Sequence, residues 1–290
     1  SSRRNRGRGA VMQTRPSRIA RRRGRHIALV VALALIGRGA AAQIAVDELE
    51  LHVPLRPGAT GLSRSFHAAN PGDVPANATI SIEDWDRSDR GENRYYQLGS
   101  LPGTCGRHVG VFPSVLRFEP RSVQTIQVTV DSADAIPRGC YAILFVETAR
   151  THGPSSSGLL YSVRYGVKLY VEPDAPPSGE VTAIEIGPRG AASAANGATA
   201  ASDSAARVLN VSFHNSGPRQ TETHGTVEVR RLDNSVASTI DIPEFPTLPG
   251  ATRRLEIAIP RLPPGRYVLL AMLDYGGQEI AAGQARLEIP

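Results

Sequence analysis

The sequence predicts an all-β protein built from two immunoglobulin-like sandwiches in tandem. From residue 44 onward, short segments rich in β-branched and aromatic residues alternate with turns rich in Gly, Pro and Asn. Helical periodicity of apolar residues is essentially absent. A Pro-rich break, EPDAPPSGE at 172–180, divides these segments into two sets and marks a natural domain boundary.

The first set contains seven predicted strands between residues 44 and 171. They are IAVDELELHV, SRSFHAAN, ATISIEDW, VGVFPSVLRF, VQTIQVTV, CYAILFVET and LLYSVRYGVKLYV. Turn segments such as NPGDVP, SDRGEN and HGPSSSG separate them. This number of short strands, with this turn spacing, is typical of an immunoglobulin-like sandwich.

The second set also contains seven predicted strands. They are EVTAIEI, ARVLNVSFHN, HGTVEVRRL, SVASTIDI, TRRLEIAIP, RYVLLAMLDY and EIAAGQARLEI. LPPGRY at 262–267 predicts a tyrosine corner, in which the Tyr267 hydroxyl bonds back to the backbone. The Ala/Gly/Ser-rich stretch 187–206 predicts a mobile loop between the first two strands of this set.

The N-terminal region has the pattern of a secretory signal peptide. In residues 12–42 a basic start leads into the apolar run Ile27 to Ile36 and then to small residues ending at Ala42. The apolar run is too short for a membrane span, which needs about 20 residues. We therefore expect residues 1–42 to be upstream sequence and a cleaved signal, and the mature protein to be exported without membrane insertion.

The predicted domains follow from these boundaries. They are 1–42 for the upstream residues and signal, 43–173 for the first sandwich, 174–180 for the linker and 181–290 for the second sandwich. The first 42 residues hold 11 arginines and no acidic residue, and the rest of the chain has a net charge of −5. The mature protein has no basic stripe, so we expect no nucleic-acid partner.

Cys105 and Cys140 are the two cysteines of the chain. An even count in an exported protein favours a structural disulfide. The alternative is a pair of thiols with a redox or metal-binding role. There is no CxxC spacing, and two cysteines alone do not form a zinc site.

The remaining motifs predict neither an enzyme nor a cofactor. EDWDRSDRGEN, 83–93, resembles a calcium loop faintly, but its glycine is displaced and no glutamate stands at the twelfth position. A charged hairpin turn is the better interpretation. The histidines are scattered, and no G-x-S-x-G motif occurs. We therefore predict a non-catalytic protein with no metal site.

The segment 159–171 contains Lys168, the one lysine among 33 basic residues. Every odd position in it is apolar, which predicts one strand of thirteen residues, about 43 Å long. Such a long apolar face needs a cover. Either the face lies in the core of its own sandwich, or part of it serves a partner by strand addition.

Residues 44–173 resemble the PapD-like periplasmic chaperones of pilus assembly. VKLYVEP is similar to the closing strand motif of that family's first domain. VFPSVLRFEPRSVQTIQV is similar to its Pro-x-x-x-Arg-x-x-Pro stretch and the strand that follows. NPGDVPANATISIEDW is similar to its Asn, Pro and strand-ending Trp, and IPRGCYAILFVET matches the family's stretch before its sixth strand loosely. The residues that carry these likenesses are Asn70, Pro75, Trp85, Pro113, Arg117, Pro120 and Lys168.

The resemblance implies a function and a site. In that family the closing-strand lysine, here Lys168, binds the C-terminal carboxylate of a pilus subunit. Three apolar residues before it, here Leu159, Tyr161 and Val163, fill the groove of the subunit's missing strand. The family's second carboxylate anchor is an arginine on the first strand, and IAVDELELHV has none.

The sequence therefore predicts a periplasmic chaperone-like protein that binds exported pilin-like or surface subunits by strand donation. The alternative is a non-catalytic two-domain adaptor or structural protein of an extracytoplasmic assembly. The sequence leaves the oligomeric state open.

Overall fold

Strands alternating with tight turns build the chain in a computed structural model. The structure describes residues 44–56, 58, 61–131, 139–149, 151–152, 160–188 and 207–290. The predicted signal region and most of the 187–206 stretch lie outside the described residues. The described residues contain no α-helix, only a 3₁₀ turn at Gly106–His108.

The first sandwich contains twelve strands among the described residues. They are β1 (Ala45–Val46), β2 (Glu50–Leu55), β3 (Leu62–Ala69), β4 (Ala76–Arg87), β5 (Asn93–Tyr96), β6 (Val109–Phe112), β7 (Val115–Phe118), β8 (Val123–Val130), β9 (Cys140–Thr148), β10 (Thr151–His152), β11 (Leu160–Tyr161) and β12 (Arg164–Pro173).

These strands form two facing sheets and one small hairpin. One sheet has the order β1-β3-β8-β6. The other has the order β2-β12-β9-β4-β5, with β7 also paired to β4, while β10 and β11 pair with each other. All pairs are antiparallel except β2 with β12. The core between the sheets includes the fully buried Phe66, Leu116, Phe118, Ile126 and Leu144.

Two segments predicted as single strands each divide between the two sheets. IAVDELELHV becomes β1 and β2, and VGVFPSVLRF becomes β6 and β7. The prediction of single strands was wrong there, although both halves of each segment send apolar residues into the same core. The core-facing positions change parity at each crossing, from Ile44 and Val46 to Leu51 and Val53 in the first segment. Pro113 interrupts the second segment, since proline donates no hydrogen bond to a strand ladder. The short strand β5 was not predicted.

The second sandwich contains the seven strands that the sequence predicts. They are β13 (Gly179–Pro188), β14 (Arg207–Asn215), β15 (Thr221–Arg231), β16 (Val236–Thr247), β17 (Thr252–Ala258), β18 (Gly265–Asp274) and β19 (Ala281–Ile289). Their sheets have the orders β13-β14-β17 and β16-β15-β18-β19. The predicted tyrosine corner is confirmed, because the Tyr267 hydroxyl donates a 2.8 Å hydrogen bond to the Pro263 carbonyl. Together the two sets of sheets confirm tandem immunoglobulin-like sandwiches.

The predicted linker, 174–180, ends inside β13, which begins at Gly179. The described residues of both sandwiches fall within one compact unit. The domain boundaries drawn from the sequence stay a prediction. Among the described residues, no helix has the length and apolarity needed to span a membrane.

The predicted disulfide between Cys105 and Cys140 is confirmed. Both cysteines are buried in the core of the first sandwich, and their Cα atoms are 5.5 Å apart. Cys140 opens β9, and the backbone N–H of Cys105 donates to the Tyr141 carbonyl at 3.1 Å. The bridge thus ties the 97–105 connection to β9, a central strand of the sheet that contains β2 and β12.

We expect the double change Cys105→Ser and Cys140→Ser to lower the free energy of unfolding by about 3–4 kcal/mol, because the bridge closes a loop of roughly 35 residues in the unfolded chain. Urea unfolding monitored by circular dichroism measures this difference. Dithiothreitol should lower the urea midpoint of the wild type and leave that of the double variant unchanged. Equal midpoints for oxidised wild type and double variant would contradict the structural role.

Candidate functional site at the open edge of β12

The segment 159–171 is not the single long strand that the sequence predicts. Its regular part is β12, which begins at Arg164, and β11 ends at Tyr161. Between them, the backbone N–H of Val163 donates to the Thr148 hydroxyl at 2.9 Å, and the Val163 carbonyl accepts from the Thr148 N–H at 2.9 Å. The side chain of Thr148 thus replaces a backbone acceptor, and the ladder breaks at Ser162 and Val163.

The two ends of β12 have different neighbours. Residues 164–171 pair with β9, but β2 pairs with β12 only from Lys168 to Pro173. The strand that precedes β2, β1, lies in the opposite sheet, where it pairs with β3. No described strand therefore pairs with the outer edge of β12 over residues 164–167.

The backbone groups on this open edge belong to Arg164 and Gly166. The Lys168 N–H donates to the Leu49 carbonyl at 2.8 Å, so even-numbered residues of β12 direct their backbone groups away from β9. Two N–H and two C=O groups are thus available for strand addition. We name residues 164–167 of β12 the open edge.

The apolar side chains of β12 point into the core of their own sandwich. Val167, Leu169 and Val171 are fully buried there, and Tyr165 packs partly buried against them. Val163 is half-buried. Leu159 lies outside the described residues, and the structure gives only the backbone of Tyr161. The first of the two interpretations of this face therefore holds for 165–171, and the roles of Leu159, Tyr161 and Val163 stay predictions.

The Lys168 side chain points to the opposite face and forms an ion pair with an acidic residue of the same chain. Its Nζ lies 2.6 Å from Oε1 of Glu50, its register partner on β2. The Lys168 side chain is 19% exposed and that of Glu50 is 41% exposed. The ammonium also lies 5.7 Å from the centroid of the Trp85 ring. The Lys168 ammonium therefore lies next to the C-terminal end of the open edge and is paired with a carboxylate of the same chain.

An apolar cluster on this face joins the two sandwiches. We name it the junction cluster; its buried members are Trp85, Ile143, Phe145, Tyr170 and Leu248. The first four come from the sheet that contains β12, and Leu248 comes from the loop after β16. The Trp85 indole N–H and the Tyr170 hydroxyl have no hydrogen-bond partner among the described residues. Desolvation is the main cause that raises the pKa of Tyr170 far above its usual value.

A second cation and an ionic contact flank the junction cluster. The guanidinium of Arg87 lies 5.5 Å from the Trp85 centroid, and its NH1 donates to the Pro246 carbonyl at 3.4 Å. Glu172, near the end of β12, is 9% exposed and accepts from the Gln220 N–H of the second sandwich at 3.1 Å. These contacts connect the two sandwiches near the C-terminal half of β12.

Glu172 also pairs with His52 of β2 at 3.1 Å. Burial opposes ionisation of Glu172, but the hydrogen bond from His52, the charges of His52 and Arg219 and the Gln220 N–H together hold its pKa below the usual value. The hydrogen bond to Glu172 raises the pKa of His52, against the opposing effect of burial. The His52 ring stacks on Tyr170 with centroids 5.1 Å apart.

Sequence reasoning missed Glu50 as the partner of Lys168 and Arg87 as a second cation beside Trp85. Neither residue gave a signal, since an acid on a first strand and an arginine near a hairpin are ordinary surface residues. The even-numbered alternation of ELELHV, with Glu50 and His52 on one face, fits their shared position beside Lys168 and Tyr170. Only the parallel register of β2 with β12 brings these residues together.

The acidic segment 83–93 forms the predicted hairpin between β4 and β5. Arg94 and Asp86 make a two-pronged ion pair at 2.7 and 2.8 Å. The Ser88 hydroxyl accepts from the Glu92 N–H at 3.0 Å within the turn. Within the part of the chain that the structure describes, no group of three or more His, Cys, Asp or Glu residues is placed to hold a metal ion.

Comparisons with known proteins give structural similarities at low identity. No family model matches the chain, and no curated protein sequence matches it. The chain is similar to the class 5 fimbriae chaperone CfaA, with 10% identity and a TM-score of 0.47 over 86% of this chain and 100% of that one. It is similar to the Escherichia coli chaperone DraB, with 15% identity and a TM-score of 0.40 over 86% and 97% of the two chains.

A third similarity is to a complex of the Salmonella enterica SafA pilin with the SafB chaperone. Identity there is 13% and the TM-score is 0.41, over 86% of this chain and 97% of that one.

We predict that the His52–Glu172 contact makes stability depend on pH. The lowered pKa of Glu172 gives a stabilisation that is present above about pH 4.5 and is lost as pH falls through the lowered value. The raised pKa of His52 gives a stabilisation that is present below about pH 6.5 and is lost as pH rises through the raised value. The contact should therefore stabilise the protein most between about pH 4.5 and 6.5.

Urea unfolding at pH 5.5 and pH 8.5 measures this effect in wild type and His52→Gln. The difference in free energy of unfolding between wild type and His52→Gln should be smaller at pH 8.5 than at pH 5.5. The change should be at most about 1 kcal/mol, because the His52 side chain is half-exposed and its contact is screened by water. His214→Gln is the control, since that ring contacts the Thr252 hydroxyl rather than a carboxylate. Parallel pH profiles for wild type and His52→Gln would refute the prediction.

Proposed function

We propose that this protein is a periplasmic chaperone that binds an exported, pilin-like subunit through strand pairing at the open edge of β12. The observation that carries the proposal is that β2 joins this sheet only at Glu50, opposite Lys168, so that no strand in the described part of the chain pairs with Arg164 and Gly166 on that side. Exposed edges attract other strands and are usually protected in natural proteins. An edge kept open on a well-formed sandwich favours a function in strand addition.

The direction of β2 suggests how the partner lies. β2 runs parallel to β12 and begins to pair at Lys168. A partner strand that continues the line of β2 in the same direction would end beside Lys168 and Glu50. Its C-terminal carboxylate would then approach the Lys168 ammonium, which is the role that the PapD-like resemblance implies for this residue.

The partner would gain two kinds of contact. Backbone hydrogen bonds to Arg164 and Gly166 supply affinity that does not depend on the partner's sequence. The apolar residues that precede the edge, Leu159, Tyr161 and Val163, would supply the side chains that fill the partner's groove. The proposed function needs no catalytic group and no cofactor.

A non-catalytic adaptor is the second candidate function. The observation that favours it is the burial of Val167, Leu169 and Val171 in their own core, since those side chains are not available to a partner. An adaptor would bind its partners through another surface. Changes to Leu159, Tyr161 and Val163 would then leave its partners in place.

The test is a native pull-down from the organism's own periplasm with a triple variant, Leu159→Ser, Tyr161→Ser and Val163→Thr. A strand donor should lose a small exported subunit that the wild type retains, because the partner's groove is left unfilled. Mass spectrometry identifies the bound proteins. A matched triple variant, Leu232→Ser, Val236→Thr and Ile280→Thr, removes three exposed apolar side chains of the second sandwich and should keep the subunit.

Thermal unfolding of both triple variants accompanies the pull-down. Loss of the subunit with an unchanged unfolding midpoint supports strand donation. Retention of the same partners by both triple variants contradicts it and leaves the adaptor as the function.

A further inference from the structure

The ion pair between Lys168 and Glu50 affects which partners can bind to the Lys168 ammonium. The ammonium is not free in the unliganded protein, because Glu50 occupies it at 2.6 Å. Glu50 is the one hydrogen-bond acceptor that the described residues offer to Nζ. A partner's carboxylate must therefore compete with an acid that belongs to the chaperone itself.

The competition is built into the register of the sheet. Lys168 and Glu50 are directly opposed on β12 and β2, and the Lys168 N–H also bonds to the Leu49 carbonyl at 2.8 Å. The register thus places the Glu50 side chain within reach of the ammonium, and its carboxylate makes the contact. A carboxylate arriving from the open edge meets the cation and this acid together.

The two partners of the ion pair differ in exposure. Lys168 is 19% exposed and borders the Trp85 ring, so it stays in place when the pair opens. Glu50 is 41% exposed and can turn toward solvent. An arriving carboxylate can therefore replace Glu50 on Nζ without moving the lysine.

We propose that Glu50 is a specificity-determining residue, which holds the Lys168 ammonium closed to acidic groups until a partner's terminal carboxylate displaces it. The proposal rests on the strand-addition function proposed above. Weak or mispositioned carboxylates do not displace Glu50, whereas one delivered by a strand paired at Arg164 and Gly166 arrives at high effective concentration. The pair therefore makes anchoring depend on correct strand pairing.

The test uses one peptide in two forms, a twelve-residue chain of alternating valine and threonine with either a free C-terminal carboxylate or a C-terminal amide. Because the chain has one lysine, ¹³C-lysine labelling gives a single side-chain signal from Lys168. Titrations followed by this signal compare wild type with Glu50→Gln and Glu48→Gln, and calorimetry compares these three proteins with Lys168→Gln, which has no lysine to label. Glu48 is the matched control, since it is a nearby exposed acid that pairs with Arg64 rather than with Lys168.

Glu50→Gln should bind the acid peptide roughly three- to tenfold more tightly than the wild type, because an internal competitor and a like charge are both removed. The amide peptide should bind wild type and Glu50→Gln alike. Lys168→Gln should abolish the difference between acid and amide, and Glu48→Gln should behave as the wild type. Thermal unfolding confirms that each variant is folded.

Two results overturn the proposal in different ways. Equal affinity of wild type and Glu50→Gln for the acid peptide, with both peptides bound, refutes the role of Glu50 and leaves strand addition intact. Failure of both peptides to bind any folded variant refutes strand addition at this edge and the role of Glu50 with it.

Discussion

The crossing of the first strand from one sheet to the other decides what the rest of this molecule can do. β1 pairs with β3 and β2 pairs with β12, so the chain changes sheets between Val46 and Glu50. If β2 began earlier alongside β12, the protein itself would close the edge at 164–167. Because β2 begins at Glu50, the edge stays open, and Glu50 lies opposite Lys168 next to the C-terminal end of the edge.

The faces of β12 divide the work of folding from that of binding. Val167, Leu169 and Val171 anchor the strand in the first core, and Tyr170 anchors it in the junction cluster. These contacts hold β12 in place, whereas no described strand pairs with its outer edge at 164–167. A partner strand bound there, as we propose, would extend the sheet without removing β12 from it.

The sequence was sufficient for the strand inventory of the second sandwich, the Tyr267 corner and the disulfide, because each depends on local pattern or on cysteine count. It failed where one β-rich segment divides into two strands. In IAVDELELHV the chain changes sheets between Val46 and Glu50, and in 159–171 the ladder breaks at Ser162 and Val163, where the Thr148 hydroxyl replaces a backbone acceptor. The pairing of Glu50 with Lys168 depends on long-range register, which no local pattern encodes.

Hydrogen exchange at the open edge distinguishes a bound strand from an unoccupied edge. Amide exchange of Arg164 and Gly166 would be measured by mass spectrometry in the free protein and in the complex recovered from the periplasm. We predict fast exchange in the free protein and strong protection in the complex, because the partner strand supplies the missing hydrogen bonds. Fast exchange of both amides in the complex, or protection already present in the free protein, would contradict it.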